Sequence, residues 1–311
     1  MPFRTRSLDH SPRDASNAKH RFLTGMKLLR IHQWAKNLLL FLPMLLSDTR
    51  VQESAIIASI LAFLSFGLGA SGLYVFNDVI DLPFDRAHLF KRYRPLARGI
   101  VSVTTAWVVS LILVSLAVGL GLLLPRSYLF CLFAYFAISI TYTLGLKRQY
   151  LLDVVILSTL YALRIQAGSM ATGIVVSRWV LSFSLLFFLS LALLKRYTEL
   201  VESSSDSSCP LPGRPYGRVD LPWLRAIGPL SGCLAVVMIG GYLGDPRLIA
   251  RYSHPQWLWT LGPLAVFWII WVWRKATRGE MHHDPLVFLL RDPVSLGTAA
   301  LALLTMATAQ A

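Results

Sequence analysis

The sequence predicts an all-α integral membrane protein with nine transmembrane helices, on three observations. Hydrophobic residues make up 55% of the 311 and charged residues only 15%, with a mean hydropathy of +0.57, too apolar for a soluble globule. Apolar runs long enough to cross a bilayer recur along the chain, separated by short polar connections. Lysine and arginine gather in alternate connections. The net charge of +14 therefore argues for membrane topology and against nucleic acid, because the charges fall in short loops between apolar runs.

Taken in order, residues 1–20 are polar, basic and poor in large apolar side chains, and are expected to form a disordered tail. Residues 21–311 are expected to form one transmembrane domain. No signal peptide is expected, since the first apolar run begins only after this long basic tail. Residues 21–30 read as an amphipathic helix on the membrane surface, with Phe22, Leu23, Met26, Leu28 and Leu29 among basic residues. The first span follows to about Ser47, with Pro43 as a kink that neighbouring helices tolerate. Further spans read as 54–76, 103–124, 128–146, 151–173, 178–198, 222–244, 256–275 and 292–311.

With the N-terminus in the cytoplasm, 24 Lys and Arg lie on the cytoplasmic side and five on the other, Arg164 being inside a span. This places the connection at 77–99 in the cytoplasm. Residues 203–220, rich in Ser, Pro and Gly, read as a flexible loop. Trp257, Trp259, Trp268, Trp271 and Trp273 read as an interfacial belt. His282, His283 and Asp284 lack a third ligand at useful spacing, so no metal is expected there. Cys131, Cys209 and Cys233 have no ligand spacing, and neither disulfide nor zinc is expected.

The chemistry concentrates in residues 77–99, NDVIDLPFDRAHLFKRYRPLARG. On a continuing helix, Asn77, Asp81 and Asp85 stand at i, i+4 and i+8, and Asp78 joins Asp81 at i+3, so all four crowd toward one side. Pro83 is expected to kink or end that helix. Crowded carboxylates repel, and a hard divalent cation such as Mg²⁺ relieves the repulsion while binding phosphate oxygens. Arg86, Lys91, Arg92, Arg94 and Arg98 follow and can hold the same phosphates. The positive-inside rule alone explains these bases but not three acids beside the membrane. Together they suggest a site for a magnesium diphosphate.

Arg164 lies roughly three helical turns inside its span, too deep to snorkel, and is expected to pair with a phosphate or a carboxylate. Lys147 and Arg148 could be a plain topology signal, but with Asp153 beside them they suggest a second wall of the site. Lys195 and Glu199, at i and i+4, could simply pair with each other.

These motifs, in combination, resemble the UbiA superfamily of intramembrane prenyltransferases. The N-D-x-x-D-x-x-x-D pattern of Asn77–Asp85, followed by K-R-x-R-P-x-A-x-G, resembles the first aspartate-rich motif. The segments at 33–37 (QWAKN), 142–147 with Asp153, 163–168 and 195–200 are similar to the branch of polyprenyl-phosphate (decaprenyl-phosphate) phosphoribosyltransferases. A dense second aspartate motif is missing after Glu199, which favours this branch. Residues 87–90, Ala-His-Leu-Phe, depart from the branch's pattern.

The resemblance implies two four-helix halves around a central cavity in a bacterial cytoplasmic membrane. It implies Mg²⁺ as cofactor, held by Asn77, Asp78, Asp81 and Asp85, with phosphoribosyl diphosphate and a polyprenyl phosphate as substrates. Asp81, Asp85 and Arg164 would then be catalytic. Lys36, Lys91, Arg94, Tyr142, Lys147, Asp153, Lys195 and Arg196 would bind substrate. A lipid-linked pentose phosphate for glycan synthesis would result, with a separate phosphatase acting on it. Two alternatives stay open: prenyl transfer to an aromatic acceptor, and a lipid or anion transporter.

Overall fold

The structure is a computed structural model that describes residues 25–26, 28–47, 52–87, 91–202, 215–250, 252–281, 288 and 291–310. The expected tail at 1–20, the departure at 88–90, most of the loop at 203–220, Cys209 and the His282–Asp284 cluster lie outside the described residues.

Among the described residues, eight helical segments are long and apolar enough to cross a membrane. Their helices are α1 (Glu53–Ile80), α2 (Val103–Gly121), α3 (Arg126–Leu144), α4 (Leu152–Thr172), α5 (Arg178–Glu202), α6 (Leu221–Leu243), α7 (Leu261–Thr277) and α8 (Pro293–Gln310). The expected first span takes another form. It is a 3₁₀ helix over Ile31–Phe41 running into a single α-turn, Leu42–Leu45. Tighter winding stretches the chain: at about 2.0 Å per 3₁₀ residue and 1.5 Å per α residue, this leading segment reaches roughly 28 Å. That is close to the thickness of the hydrocarbon core, about 30 Å. It therefore has nearly the reach of a span without the residue count of one.

Local sequence explains the helix ends that frame the site. α1 stops at Ile80, and Pro83 sits in the first turn of a separate short helix, Leu82–Ala87, as expected of a residue that cannot continue the helix before it. α2 begins on Ser102, whose Oγ accepts from the Thr105 amide at 3.0 Å. α4 ends at Gly173 in the left-handed region, φ 74°.

Two apolar cores meet at α4. The first joins Leu40, Phe66, Tyr128 and Phe136 to Ala167 and Ala171 of α4. The second joins Val154 and Ile165 of α4 to Leu193, Leu194, Leu224 and Trp273. Close approaches use glycine. A Cβ on Gly168 would meet the Leu40 carbonyl oxygen at 2.0 Å, and one on Gly67 would meet the Trp34 ring at 2.9 Å. The leading segment is thus pressed between α4 and α1. Trp34 Nε1 donates to Ser71 Oγ at 2.9 Å, and Ser71 donates on to the Leu29 carbonyl at 2.8 Å. Large apolar side chains such as Leu111, Phe130, Val237 and Leu303 point outward, as a lipid-embedded bundle requires.

Candidate active site

The C-terminal end of α1 brings Asn77, Asp78 and Asp81 to the start of the loop that carries Asp85 and Arg94. Asp78 and Asp85 are buried. Arg94 Nη1 bridges them, 3.0 Å from Asp78 Oδ1 and 2.5 Å from Asp85 Oδ2. Arg30 reaches the same Asp78 oxygen from just before the leading segment, and its guanidinium lies over the Tyr74 ring at 5.2 Å. Burial pushes the Arg30 pKa below its usual value, and Asp78 opposes that shift. Lys147, buried in the turn between α3 and α4, pairs with Asp81 and donates to Asn77 Oδ1 at 3.4 Å; Thr143 donates to the same oxygen at 3.2 Å.

The structure thus joins Asn77, Asp78, Asp81, Asp85, Arg94 and Lys147 into one polar centre and adds Arg30 and Thr143 to it. Among the described residues, no three His, Cys, Asp or Glu converge as a metal site. The donor set is nonetheless oxygen-only, which suits Mg²⁺, and Asp78 lies in the electrostatic field of both Asp85 and Asp81. By donor chemistry these residues fit a hard divalent cation; here basic side chains neutralise them.

Tyr142, Asp153 and Arg196 form a second group. Arg196 grips Asp153 with both arms, Nε to Oδ2 at 2.5 Å and Nη2 to Oδ1 at 3.0 Å, and also pairs with Glu199. The Tyr142 hydroxyl donates to Asp153 at 2.8 Å. This fully buried bidentate pair ties α4 to α5. The turn leading into α4 is braced at the surface, where the Tyr150 hydroxyl donates to Asp220 at 2.7 Å. Burial and Asp220 together push the Tyr150 phenol above its usual pKa.

Arg164 makes a third centre, deep in α4. Its Nε donates to Asn37 Oδ1 at 3.0 Å, its Nη1 to the Leu160 carbonyl at 2.5 Å, and its Nη2 to the Tyr135 hydroxyl at 3.0 Å. The guanidinium lies 5.0–5.5 Å from the rings of Phe66, Tyr135 and Tyr161. Lys36 Nζ stands over Tyr161 at 5.8 Å, and Tyr74 feels the charge of Lys36, Arg164, Arg30 and Lys195. Lys91 lies in the 3₁₀ turn Lys91–Tyr93 just before Arg94.

Beyond the polar centres, an apolar cavity of about 500 Å³ opens between the leading segment and α5–α8, lined by Leu42, Phe183, Phe187, Leu264, Trp268 and Ala299 among others.

A helical membrane protein with buried acids and bases gathered at the ends of its spans is a polytopic membrane enzyme in outline. The chain belongs to the UbiA prenyltransferase family, whose model matches residues 38–291. It is 38% identical over 275 residues to the uncharacterized protein y4nM of Sinorhizobium fredii, covering 88% of this chain but only 53% of that protein, so it spans about half of that relative's length. It is 34% identical over 284 residues to nodulation protein NoeC of Azorhizobium caulinodans, covering 90% of this chain and 91% of the other. A decaprenyl-phosphate phosphoribosyltransferase of Corynebacterium glutamicum is 35% identical over 180 residues, 57% of this chain and 54% of that one. The fold is similar to that of a UbiA homologue from Archaeoglobus fulgidus bound to GPP and Mg²⁺, with a TM-score of 0.68 at 15% identity over 92% of this chain and 98% of that one.

Sequence reasoning missed Arg30, Thr143, Tyr135 and Asn37 as site components. Asn37 had two visible signals: its place in the QWAKN segment at 33–37, and a polar amide next to Lys36 at the head of an apolar run.

Proposed function

We propose that the protein transfers 5-phosphoribose from phosphoribosyl diphosphate to a polyprenyl phosphate at the cytoplasmic face of a bacterial cytoplasmic membrane. The observation that carries this reading is the presence of two sets of cations with different partners. One neutralises the carboxylates of Asn77–Asp85, and the other surrounds Arg164, which has no carboxylate partner among the described residues. A prenyl diphosphate enzyme with an aromatic acceptor has one phosphorylated substrate and needs one such set. Phosphoribosyl transfer carries a diphosphate, a ribose phosphate and a lipid phosphate together.

In this reading Asn77, Asp78, Asp81 and Asp85 would hold Mg²⁺, which neutralises part of the diphosphate charge when bound. Arg30, Arg94 and Lys147 carry the remaining charge that stabilises the departing diphosphate. An oxygen of the lipid phosphate attacks the anomeric carbon. The bond from that carbon to the diphosphate oxygen breaks, and its electron pair leaves with the diphosphate. The nucleophile is already an oxyanion, so positioning and electrostatics supply most of the catalysis. The apolar cavity between the leading segment and α5–α8 suits an isoprenoid tail. The product, a lipid-linked pentose phosphate, would pass to a separate phosphatase and then to glycan synthesis.

The test is purified protein with Mg²⁺ and labelled phosphoribosyl diphosphate. Diphosphate release is expected only with polyprenyl phosphate present, with ribose phosphate appearing on the lipid and EDTA abolishing turnover. Indifference to that donor, with consumption of a prenyl diphosphate and an aromatic acceptor, would overturn the reading.

A further inference from the structure

Arg164 stands about 18 Å along α4 from Leu152, at 1.5 Å per residue, and is only 4% exposed. Burying an ion costs several kcal/mol even after relaxation, and a partner of opposite charge normally offsets it. None of the described carboxylates pairs with Arg164, and its guanidinium lies instead against the rings of Phe66, Tyr135 and Tyr161. The aromatic faces lower the cost but offer no acceptor to the edges of the guanidinium.

The donors are also in excess. A guanidinium has five N–H groups, and three are used, on Asn37, Leu160 and Tyr135. Two remain. Asn37 is 1% exposed, and its Nδ2 has no hydrogen-bond partner among the described residues. Its orientation is not arbitrary, because Oδ1 must face Arg164 to accept from Nε. Each buried donor left unsatisfied costs about 1–3 kcal/mol. One guanidinium charge and four unused N–H groups, two on each residue, therefore sit together in a buried aromatic cage.

We propose that Arg164 and Asn37 form the receptor for a phosphate monoester, held without metal and apart from the diphosphate centre. This rests on the phosphoribosyl-transfer reading and assigns its second anion. A monoester brings a dianion with three acceptor oxygens, which matches the spare charge and donors. A magnesium diphosphate does not match, because none of the described carboxylates is paired with Arg164 to share a metal. The monoester is either the phosphate of the lipid or the 5-phosphate of the sugar.

Asn37→Asp tests this with almost no change of shape. The new carboxylate still accepts from Arg164 Nε and supplies the missing counter-charge inside the protein. If Asn37 serves only the fold, the variant melts at or above the wild-type temperature and binds ligands as before. If the pair is an anion receptor, the variant melts equally well but repels the phosphate, since like charges juxtaposed cost several kcal/mol, about 100-fold in affinity.

Binding is measured separately with a polyprenyl monophosphate and with ribose 5-phosphate, neither of which requires turnover. Loss for the lipid alone assigns the lipid phosphate, and loss for ribose 5-phosphate alone assigns the 5-phosphate. Unchanged binding of both, equal loss of both, or a wild type that binds neither overturns the inference. A wild type that turns over phosphoribosyl diphosphate while Asn37→Asp changes nothing sinks the receptor and spares the function. A wild type that binds one monophosphate and loses it in Asn37→Asp, yet never uses that donor, does the reverse.

Discussion

Asp153 and Arg196 show how one motif can hold two kinds of residue. Both were expected to bind substrate, on the strength of motifs at 142–153 and 195–200. In the structure Arg196 is 1% exposed and spends its fork on Asp153 and Glu199. Breaking a buried pair by removing one partner leaves the other charge uncompensated and costs about 3–5 kcal/mol. Arg196→Met is therefore expected to lower the melting temperature in detergent sharply, whereas Lys147→Met, which removes a cation from the Asn77–Asp81 group, is expected to impair donor binding more than stability. Parallel melting curves and donor-binding titrations check this. Equal melting losses for the two would remove the distinction.

The acids at 77–85 were legible because their spacing is local. Their basic partners were only half legible, since Arg94 lies nine residues from Asp85 but Arg30 lies 48 from Asp78. Asn37 meets Arg164 across 127 residues, and no pattern within a single helix reports such a pairing.

At the scale of elements, helix positions were readable from apolar run length, and the eight spans fall within a few residues of expectation, α7 starting later behind a 3₁₀ turn, Pro255–Thr260. The leading segment was not readable as 3₁₀, because a stretch as short as Ile31–Phe41 is too brief for its pattern to separate tight from ordinary winding. Its placement follows from small residues on its neighbours. Gly168 of α4 lets the Leu40 carbonyl come so close that an added Cβ would stand 2.0 Å from backbone oxygen, which no rotamer change relieves. Gly168→Ala should therefore push the leading segment off α4, disturb Asn37 and Lys36, and cost about 1–3 kcal/mol as overpacking does. Gly119→Ala in α2 is the control: nothing lies within 4 Å of its added Cβ, and Ala favours a helix over Gly by about 0.8–1.0 kcal/mol. A lower melting temperature for the first and an unchanged or higher one for the second is expected. Tolerance of Gly168→Ala would mean that the contact is looser than it stands here.

For the whole molecule, one consistency argument links charge, topology and chemistry. The ends of α1, α3 and α5 and the start of α4 must share a side, because Lys147 reaches Asn77 and Asp81, and Arg196 reaches Asp153 and Tyr142. That is the alternation expected if each of α1, α3 and α5 crosses in the same direction and α4 returns. The basic residues independently pick the same side, 24 against five, and on the positive-inside rule we propose that this side is cytoplasmic. The leading segment is the weak point, since its fifteen residues must carry the chain across for Arg30 to meet Asp78 on that side. Single cysteines decide the matter, introduced after Cys131, Cys209 and Cys233 are replaced by serine. Ala87→Cys, exposed beside the acid cluster, should react with a membrane-impermeant maleimide only in inverted vesicles. Val175→Cys, 83% exposed between α4 and α5, should react only in intact cells. Reaction of both from one side would mean that α4 does not cross the membrane. Reaction with the sides exchanged would put the candidate site opposite the cytoplasmic supply of activated sugar and remove the donor from reach.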